Sequence, residues 1–325
     1  MAAFLRTRYS AMRRIIFPVA IALICASCQK SAPASPTQPD TVNPPRQSET
    51  WSLTGQVIDA LTQQPISGAE LLDTQTNSAG LFEVNGTGSR SAQRVTLLAS
   101  GFLTRETTIS SGTNNPIIDL IPDGLSAIYR QLVRNGFEAP ESLEPIRRWT
   151  TSPKFFIDTT MPLGIKVTEG DLGRIEEGIR SSVPGFSGGQ LQVSTLVRGS
   201  NPPTEKGWIV VSFVNDSSAN WCGRAYVAAD PGAIEFNYNR CTCGAVRVRP
   251  GTIAHEVGHA LGFFHTADRS TLMYPVSSGC GAADISQSER DAARIAYARP
   301  VMNSDPDKDP TGAAFLNRQL KRIHD

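Results

Sequence analysis

Histidine is the scarcest chemically versatile residue here: the 325-residue chain has four, and three of them fall between residues 255 and 265. Imidazole chemistry can therefore be gathered at one place only. An excess of charge of either sign is also missing. Net charge is +1, and without the four arginines of the first 27 residues it would be about −3. Neither value calls for a polyanionic partner, and no basic stripe is interleaved with aromatics, which excludes nucleic acid as the expected partner. The apolar run that starts at Ile15 and continues through Ala22 to Ile24 is too short to span a bilayer. The remaining composition, 40% apolar and 19% charged, is enough for globular cores, and the length leaves room for more than one domain.

That short run follows Arg6, Arg8, Arg13 and Arg14 and ends in Cys25-Ala26-Ser27-Cys28, the layout of an export signal. Small residues before Cys28 resemble the lipobox of bacterial lipoproteins, although Cys25 stands where such boxes usually carry leucine. The resemblance implies a signal peptide over residues 1–27, lipidation at Cys28 and a membrane anchor through the acyl chains. Plain secretion after cleavage near Ser27 is the alternative. Either way the mature protein is expected outside the cytoplasm of a bacterial cell. Residues 28–50, rich in Gln, Ser, Thr and Pro, read as a solvated, disordered linker.

Export decides how the other cysteines are read. Cys222, Cys241, Cys243 and Cys280 are even in number and expected in an oxidising compartment, so they are disulfide candidates. Cys241 and Cys243 are too close for an unstrained mutual bridge. Each is expected to pair with Cys222 or Cys280, and the spacing leaves the choice open. A four-cysteine zinc site is disfavoured because the usual two-residue gap between ligands is absent.

Residues 51–122 alternate short β-prone runs with turn signals such as Asn85-Gly86 and Thr113-Asn114-Asn115, which predicts a small antiparallel β-sandwich. Gly55-Gln56-Val57, Pro65 to Ala69 and Gly80-Leu81-Phe82 resemble the carboxypeptidase regulatory-like family of transthyretin-like sandwiches. The resemblance implies a spacer or docking module without catalysis. Residues 123–148 read as a helical connector, with Leu125, Ile128, Tyr129, Leu132 and Val133 at helical spacing and Asn135-Gly136 as a stop.

A second domain is expected over residues 149–300. Strands are predicted at Lys154–Asp158, Leu191–Val197, Trp208–Val214, Ala225–Ala228, Ile234–Tyr238 and Ala245–Val248. Helices are predicted over Thr168–Val183, from Pro250 through the histidine-rich stretch, and over Asp284–Ala298. Ser286 and Glu289 form a capping box for the last of these. In the polar tail, residues 301–325, Asp305, Asp307 and Asp309 alternate as in a calcium loop. Pro310 and Leu316 stand where an EF-hand needs glycine and glutamate, so calcium is rejected there.

The chemistry concentrates in residues 255–265, His-Glu-Val-Gly-His-Ala-Leu-Gly-Phe-Phe-His. His255 and His259, four apart, share one helical face. Gly262 can leave the helix with positive φ and bring His265 back as a third ligand. Three neutral imidazoles leave a fourth position on one Zn²⁺ open, the arrangement of a catalytic rather than a structural site. Glu256 sits beside the ligands as a general base for water attacking a carbonyl, with the proton passing to the leaving amine.

The pattern HExxHxxGxxH, here His255, Glu256, His259, Gly262 and His265, is the signature of metzincin zinc endopeptidases, and the second domain resembles that family. Leu272-Met273-Tyr274-Pro275 resembles the Met-turn, which implies that Met273 lies as an apolar floor beneath the histidines. Pro275 stands where some members carry a zinc-contacting tyrosine, so Tyr274 is left out of the metal shell. Asp268 reads equally well as a ligand-orienting residue and as a turn residue. The family binds substrate antiparallel to an exposed edge strand, and Ile234, Glu235, Phe236 and Asn237 are the candidates for it. The expected architecture is thus multidomain: an all-β sandwich followed by an α+β metzincin-like catalytic domain. The expected activity is zinc-dependent hydrolysis of protein or peptide substrates outside the cytoplasm. The alternative is an inactive zinc-containing module for protein binding or adhesion, against which the intact Glu256 argues.

Overall fold

The computed structural model describes residues 49–161, 166–276, 280, 284–311 and 322–324. The expected signal peptide, Cys28 and nearly all of the linker lie outside the described residues. The described residues form one compact unit.

The unit opens with β1 (Thr50–Asp59), β2 (Glu70–Leu71), β3 (Thr74–Gln75), β4 (Leu81–Thr87), β5 (Gln93–Leu98), β6 (Arg105–Ile109) and β7 (Ile117–Leu120). These strands build two small sheets, ordered β4-β1-β7 and β3-β2-β5-β6. Alternate side chains from both sheets, among them Leu53, Val57, Phe82, Val95, Leu97 and Ile118, enter one apolar cluster. The pairing is not wholly antiparallel as expected, because β7 runs parallel to β1. Alternation in residues 116–121 reports which face is buried and carries no information about strand direction.

Helix α1 (Asp123–Arg134) ends at Asn135, which takes the left-handed conformation at φ 60°. Leu125, Tyr129, Leu132 and Val133 bury their side chains in the larger core. The chain continues through β8 (Lys154–Asp158), α2 (Glu169–Gly185), β9 (Thr195–Gly199), β10 (Trp208–Val214), β11 (Gly223–Tyr226), β12 (Gly232–Asn237), α3 (Pro250–Leu261), α4 (Gln287–Ala298) and β13 (Arg322–His324), all but β13 contributing side chains to that core or against it. The strands form a mixed sheet ordered β13-β11-β12-β10-β8-β9. β9, β8, β10 and β12 are parallel, whereas β11 runs antiparallel to β12 and β13 antiparallel to β11.

Two expectations fail here. Ile234, Glu235, Phe236 and Asn237, proposed as an exposed edge strand, lie in β12, between β10 and β11 in the sheet interior. Their alternation shows a strand with two different faces, and a face pattern does not say whether the hydrogen-bonding sides are covered. Residues 245–248 form no strand. Cys243 and Val246 exchange backbone hydrogen bonds of 2.8 and 3.0 Å and close a turn instead.

Residues 299–309 pack between the first two sheets and α1 through charge. The Arg299 guanidinium, fully buried, donates to both carboxylate oxygens of Asp307 at 2.8–3.0 Å and to Asp119 at 2.6 Å. Asn303 donates to Asp307 and Asp309, both at 2.8 Å, and accepts from Arg134. Thr107 donates to Asp309 at 2.6 Å, and Arg105 pairs with Asp119. The alternating aspartates therefore meet arginines and amides of this chain.

Candidate metal centre

Helix α3 starts at Pro250, whose missing N–H costs nothing at a first helical position. From Thr252 to Leu261 every residue is buried, so the helix lies within the core between α2 and the sheet. Its last carbonyls are taken by side chains from elsewhere: Trp149 Nε1 donates to Ala260 and Tyr297 Oη to Leu261. Gly262 ends the helix at φ 117°, and a Cβ there would lie 1.9 Å from the carbonyl oxygen of Arg147. Both the conformation and the space require glycine. The turn it makes returns the chain so that His265 faces His255 and His259.

The three imidazoles converge through Nε2. His255 and His259 approach to 2.9 Å, and His259 and His265 to 3.2 Å. All three rings are almost wholly buried. What lies behind each ring fixes its tautomer. His255 Nδ1 is 2.7 Å from the carbonyl of Leu272, and His259 Nδ1 is 2.7 Å from that of Phe263. A carbonyl only accepts, so each Nδ1 donates. His265 Nδ1 donates likewise to Glu138 Oε1 at 2.6 Å. Neutral rings so held turn three Nε2 lone pairs toward one point. Lone pairs this close repel unless a cation lies among them. Tetrahedral zinc at the usual Zn–N length spaces its nitrogens about 3.3 Å apart, close to the separations seen. The donor set and its geometry fit one zinc ion.

Glu256, next to His255, is fully buried. Gly223, the first residue of β11, lies against it: a Cβ at position 223 would come within 2.2 Å of Oε1. The carboxylate and the start of β11 therefore share one small space.

Met273 is fully buried, and its Sδ lies 2.6 Å from where a Cβ at Gly258 would be, which packs it against α3 between the two helical histidines. The turn carrying it is pinned by Glu289 of α4, whose carboxylate accepts from Met273 N at 2.8 Å and Leu272 N at 3.1 Å. The same carboxylate accepts from Ser286 N and completes the expected capping box. Glu289 thus holds Leu272, whose carbonyl holds His255. Tyr274 stacks under Arg269. Asp268 accepts from the backbone and hydroxyl of Ser270, and these bonds keep its carboxyl below the usual aspartate range. It acts as a turn residue.

The cysteines pair as Cys222–Cys241 and Cys243–Cys280. The first bridge ties the residue before Gly223 to the loop after β12. The second ties the approach to α3 to the segment beyond Met273, of which residues 277–279 and 281–283 are outside the described residues.

Sequence reasoning missed Glu138, Gly223 and the second role of Glu289. Glu138 is 127 residues from its histidine, in a stretch that reads only as a proline-broken connector. Gly223 carries no motif. Glu289 announces its cap, but not what its carboxylate holds on the other side.

Among the described residues, His255, His259 and His265 are the only grouping of three side chains able to hold a metal ion. No curated protein matches the chain. Residues 249–298, which span α3, the Met273 turn and α4, match the model of the peptidase M10 family, Matrixin, and together with the histidine triad this segment fits a zinc metallopeptidase of the metzincin kind.

Proposed function

We propose that this protein is a zinc-dependent endopeptidase that cleaves proteins outside the cytoplasm. The observation that carries the reading is the triad itself: three Nε2 lone pairs aimed at one point, with a buried carboxylate on the adjacent residue. A zinc ion held by His255, His259 and His265 supplies Lewis acidity, which lowers the pKa of water and polarises a carbonyl. The protein supplies the rest. Glu256 takes the proton of the attacking water and passes it to the nitrogen of the leaving amine as the peptide C–N bond breaks. Leu272, Phe263 and Glu138 hold the three rings in the one tautomer that leaves Nε2 bare. Met273 gives the triad a floor that cannot compete as a hard ligand. Gly223 brings a strand to the carboxylate without crowding it.

Export rests on the charged and apolar start of the chain and on the two disulfides, which suit an oxidising compartment. Anchoring through Cys28 rests on the lipobox-like residues alone. Residues 51–122 serve in this reading as a non-catalytic module fixed to the peptidase through the Arg299–Asp119 contact.

The test is cleavage of casein or a quenched peptide library by the purified protein, with and without a zinc chelator. Activity should vanish with the metal and return with added zinc. Glu256→Gln should keep one zinc per chain and lose about 10²–10⁴-fold in turnover. Cleavage that survives complete zinc removal, or full activity in the glutamine variant, overturns the reading.

A further inference from the structure

Strand β11 has two hydrogen-bonding sides. One pairs with β12. The other would be a sheet edge without residues 322–324, and Gly223 at the start of the strand lies against Glu256. An edge of this kind takes an extended peptide by strand addition, with backbone bonds giving affinity and side-chain pockets giving selectivity. In this structure the chain's own residues 322–324 are there. β13 pairs with β11 antiparallel, with Tyr226 opposite Arg322, Ala225 opposite Ile323 and Arg224 opposite His324. Read from 322 to 324, β13 therefore runs toward the Gly223 end of β11 and so toward Glu256.

One side chain anchors it. Ile323 is 4% exposed and packs in a cluster of its own with Val227 and Phe264. Val227 directly follows β11, and Phe264 directly precedes the third histidine. The pocket that Ile323 fills is thus built from the strand edge and from the turn that delivers His265. Sealing a sheet edge needs only backbone pairing. A branched aliphatic residue seated against Phe264, the neighbour in sequence of the third histidine, is what peptide recognition needs.

We infer that residues 322–324 are a built-in competitor for the substrate strand: they occupy the β11 edge, with Ile323 in a pocket that otherwise receives a branched aliphatic side chain of the substrate. The inference rests on the peptidase reading for the word substrate, but not for the docking itself. A tethered occupant works at high effective concentration, so a free peptide binds with its affinity reduced by the fraction of time the edge is open.

The experiment compares the full chain with a variant ending at residue 319 and with Ile323→Asp in the otherwise intact chain, each checked for folding by thermal melting. A fluorescent peptide of sequence Leu-Lys-Arg-Ile-His-Asp, residues 320–325, should bind the shortened chain and Ile323→Asp at least about tenfold more tightly than the full chain. The same peptide with aspartate for isoleucine should not bind. Glu256→Gln in the shortened chain should bind the probe equally well, so binding is read without cleavage. In the cleavage assay the shortened chain should show a KM lower by a similar factor at unchanged kcat, with the peptide as a competitive inhibitor. Equal probe binding by full and shortened chains, or none by either, overturns the proposal. Tight probe binding that leaves cleavage of the library uninhibited overturns the claim that the edge is the substrate's path. If no form cleaves anything, the peptidase reading fails, while probe binding still decides whether the edge accepts a peptide.

Discussion

Two buried polar clusters lie in the same compact unit, and they are closed in opposite ways. Around Arg299 the charges are balanced within the chain: Asp307 and Asp119 face guanidinium groups, and Asn303 fills the remaining acceptor positions of Asp307 and Asp309. Around His259 the like groups face one another, three Nε2 atoms within 2.9–3.2 Å of their neighbours, each ring held from behind by an acceptor. In the first cluster the carboxylates of Asp119, Asp307 and Asp309 all face donors of this chain. The second makes sense only with a cation added. Burial and polarity alone do not mark a functional site. The distinction lies in whether the donors and acceptors of the cluster match each other.

The comparison is broken most directly by removing one member of each cluster. His259→Ala should reduce zinc from one per chain to a small fraction and lower kcat/KM by about 10³-fold or more, some 4 kcal/mol of transition-state stabilisation. The metal-free protein should still fold, because the Leu272 carbonyl and Glu138 continue to hold His255 and His265, but the buried space left by the imidazole and the lost bond to Phe263 should lower its melting temperature by several degrees. Arg299→Met should do the reverse. It leaves Asp307 buried without its main counter-charge and should cost about 3–5 kcal/mol of stability by denaturant titration. Zinc content per folded molecule should stay at one. If Arg299→Met released zinc from folded protein, the two clusters would not be separate devices.

The same contrast explains what was legible in the sequence. The triad was legible because helix periodicity places residues four apart on one face, and because Gly262 is the residue a left-handed cap demands; both are local rules. The capping box at Ser286 and the stop at Asn135 are local in the same way. The arginine–aspartate cluster was not legible. Asp305, Asp307 and Asp309 look like a failed calcium loop until Arg105, Arg130 and Arg134 arrive from far along the chain. Cysteine count predicted two bridges, but pairing depends on which loops meet. The stretch Ile234–Tyr238 was read correctly as a strand, which the structure has at Gly232–Asn237, and wrongly as an edge, because its neighbours on both sides are set by topology. Residues 322–324, in a polar stretch with little pattern, gave no sign that they add to the sheet.

Two smaller effects sharpen the description of the metal centre. Gly223→Ala places a methyl where the Glu256 carboxylate now lies, 2.2 Å from Oε1. The carboxylate has to move, and displacement of about 1 Å costs on the order of 10²-fold in rate. Zinc content and melting temperature should hold, which separates this loss from that of His259→Ala. Glu138→Ala removes the acceptor behind His265 and should weaken zinc binding about 10–100-fold, measured by competition with a chromophoric chelator. At saturating zinc its turnover should recover most of the loss. Unchanged zinc affinity would mean that the Gly262 turn alone orients the third ring.

Acidification sharpens the other cluster. Burial by itself would raise the carboxyl of Asp119; the charges of Arg299 and Arg105, and the hydrogen bonds they donate, more than reverse this and hold it below its ordinary value of 3.8. An acid whose pKa is lowered by folding binds its proton more readily in the unfolded chain. Its contribution to stability is therefore complete above the ordinary value and disappears as pH falls through the lowered one. Asp171 is lowered in the same sense. Burial raises it, and Tyr238, Thr168 and Arg174 donate to it and more than compensate. Denaturant midpoints should accordingly drop below about pH 4 as these two carboxylates take up protons. Asp119→Asn should flatten part of that drop, because its amide no longer titrates. The flattening should appear only below about pH 4 and should leave the zinc stoichiometry at pH 7 unchanged. An acid limb that was identical in the variant would show that Arg299 draws its balance from Asp307 alone.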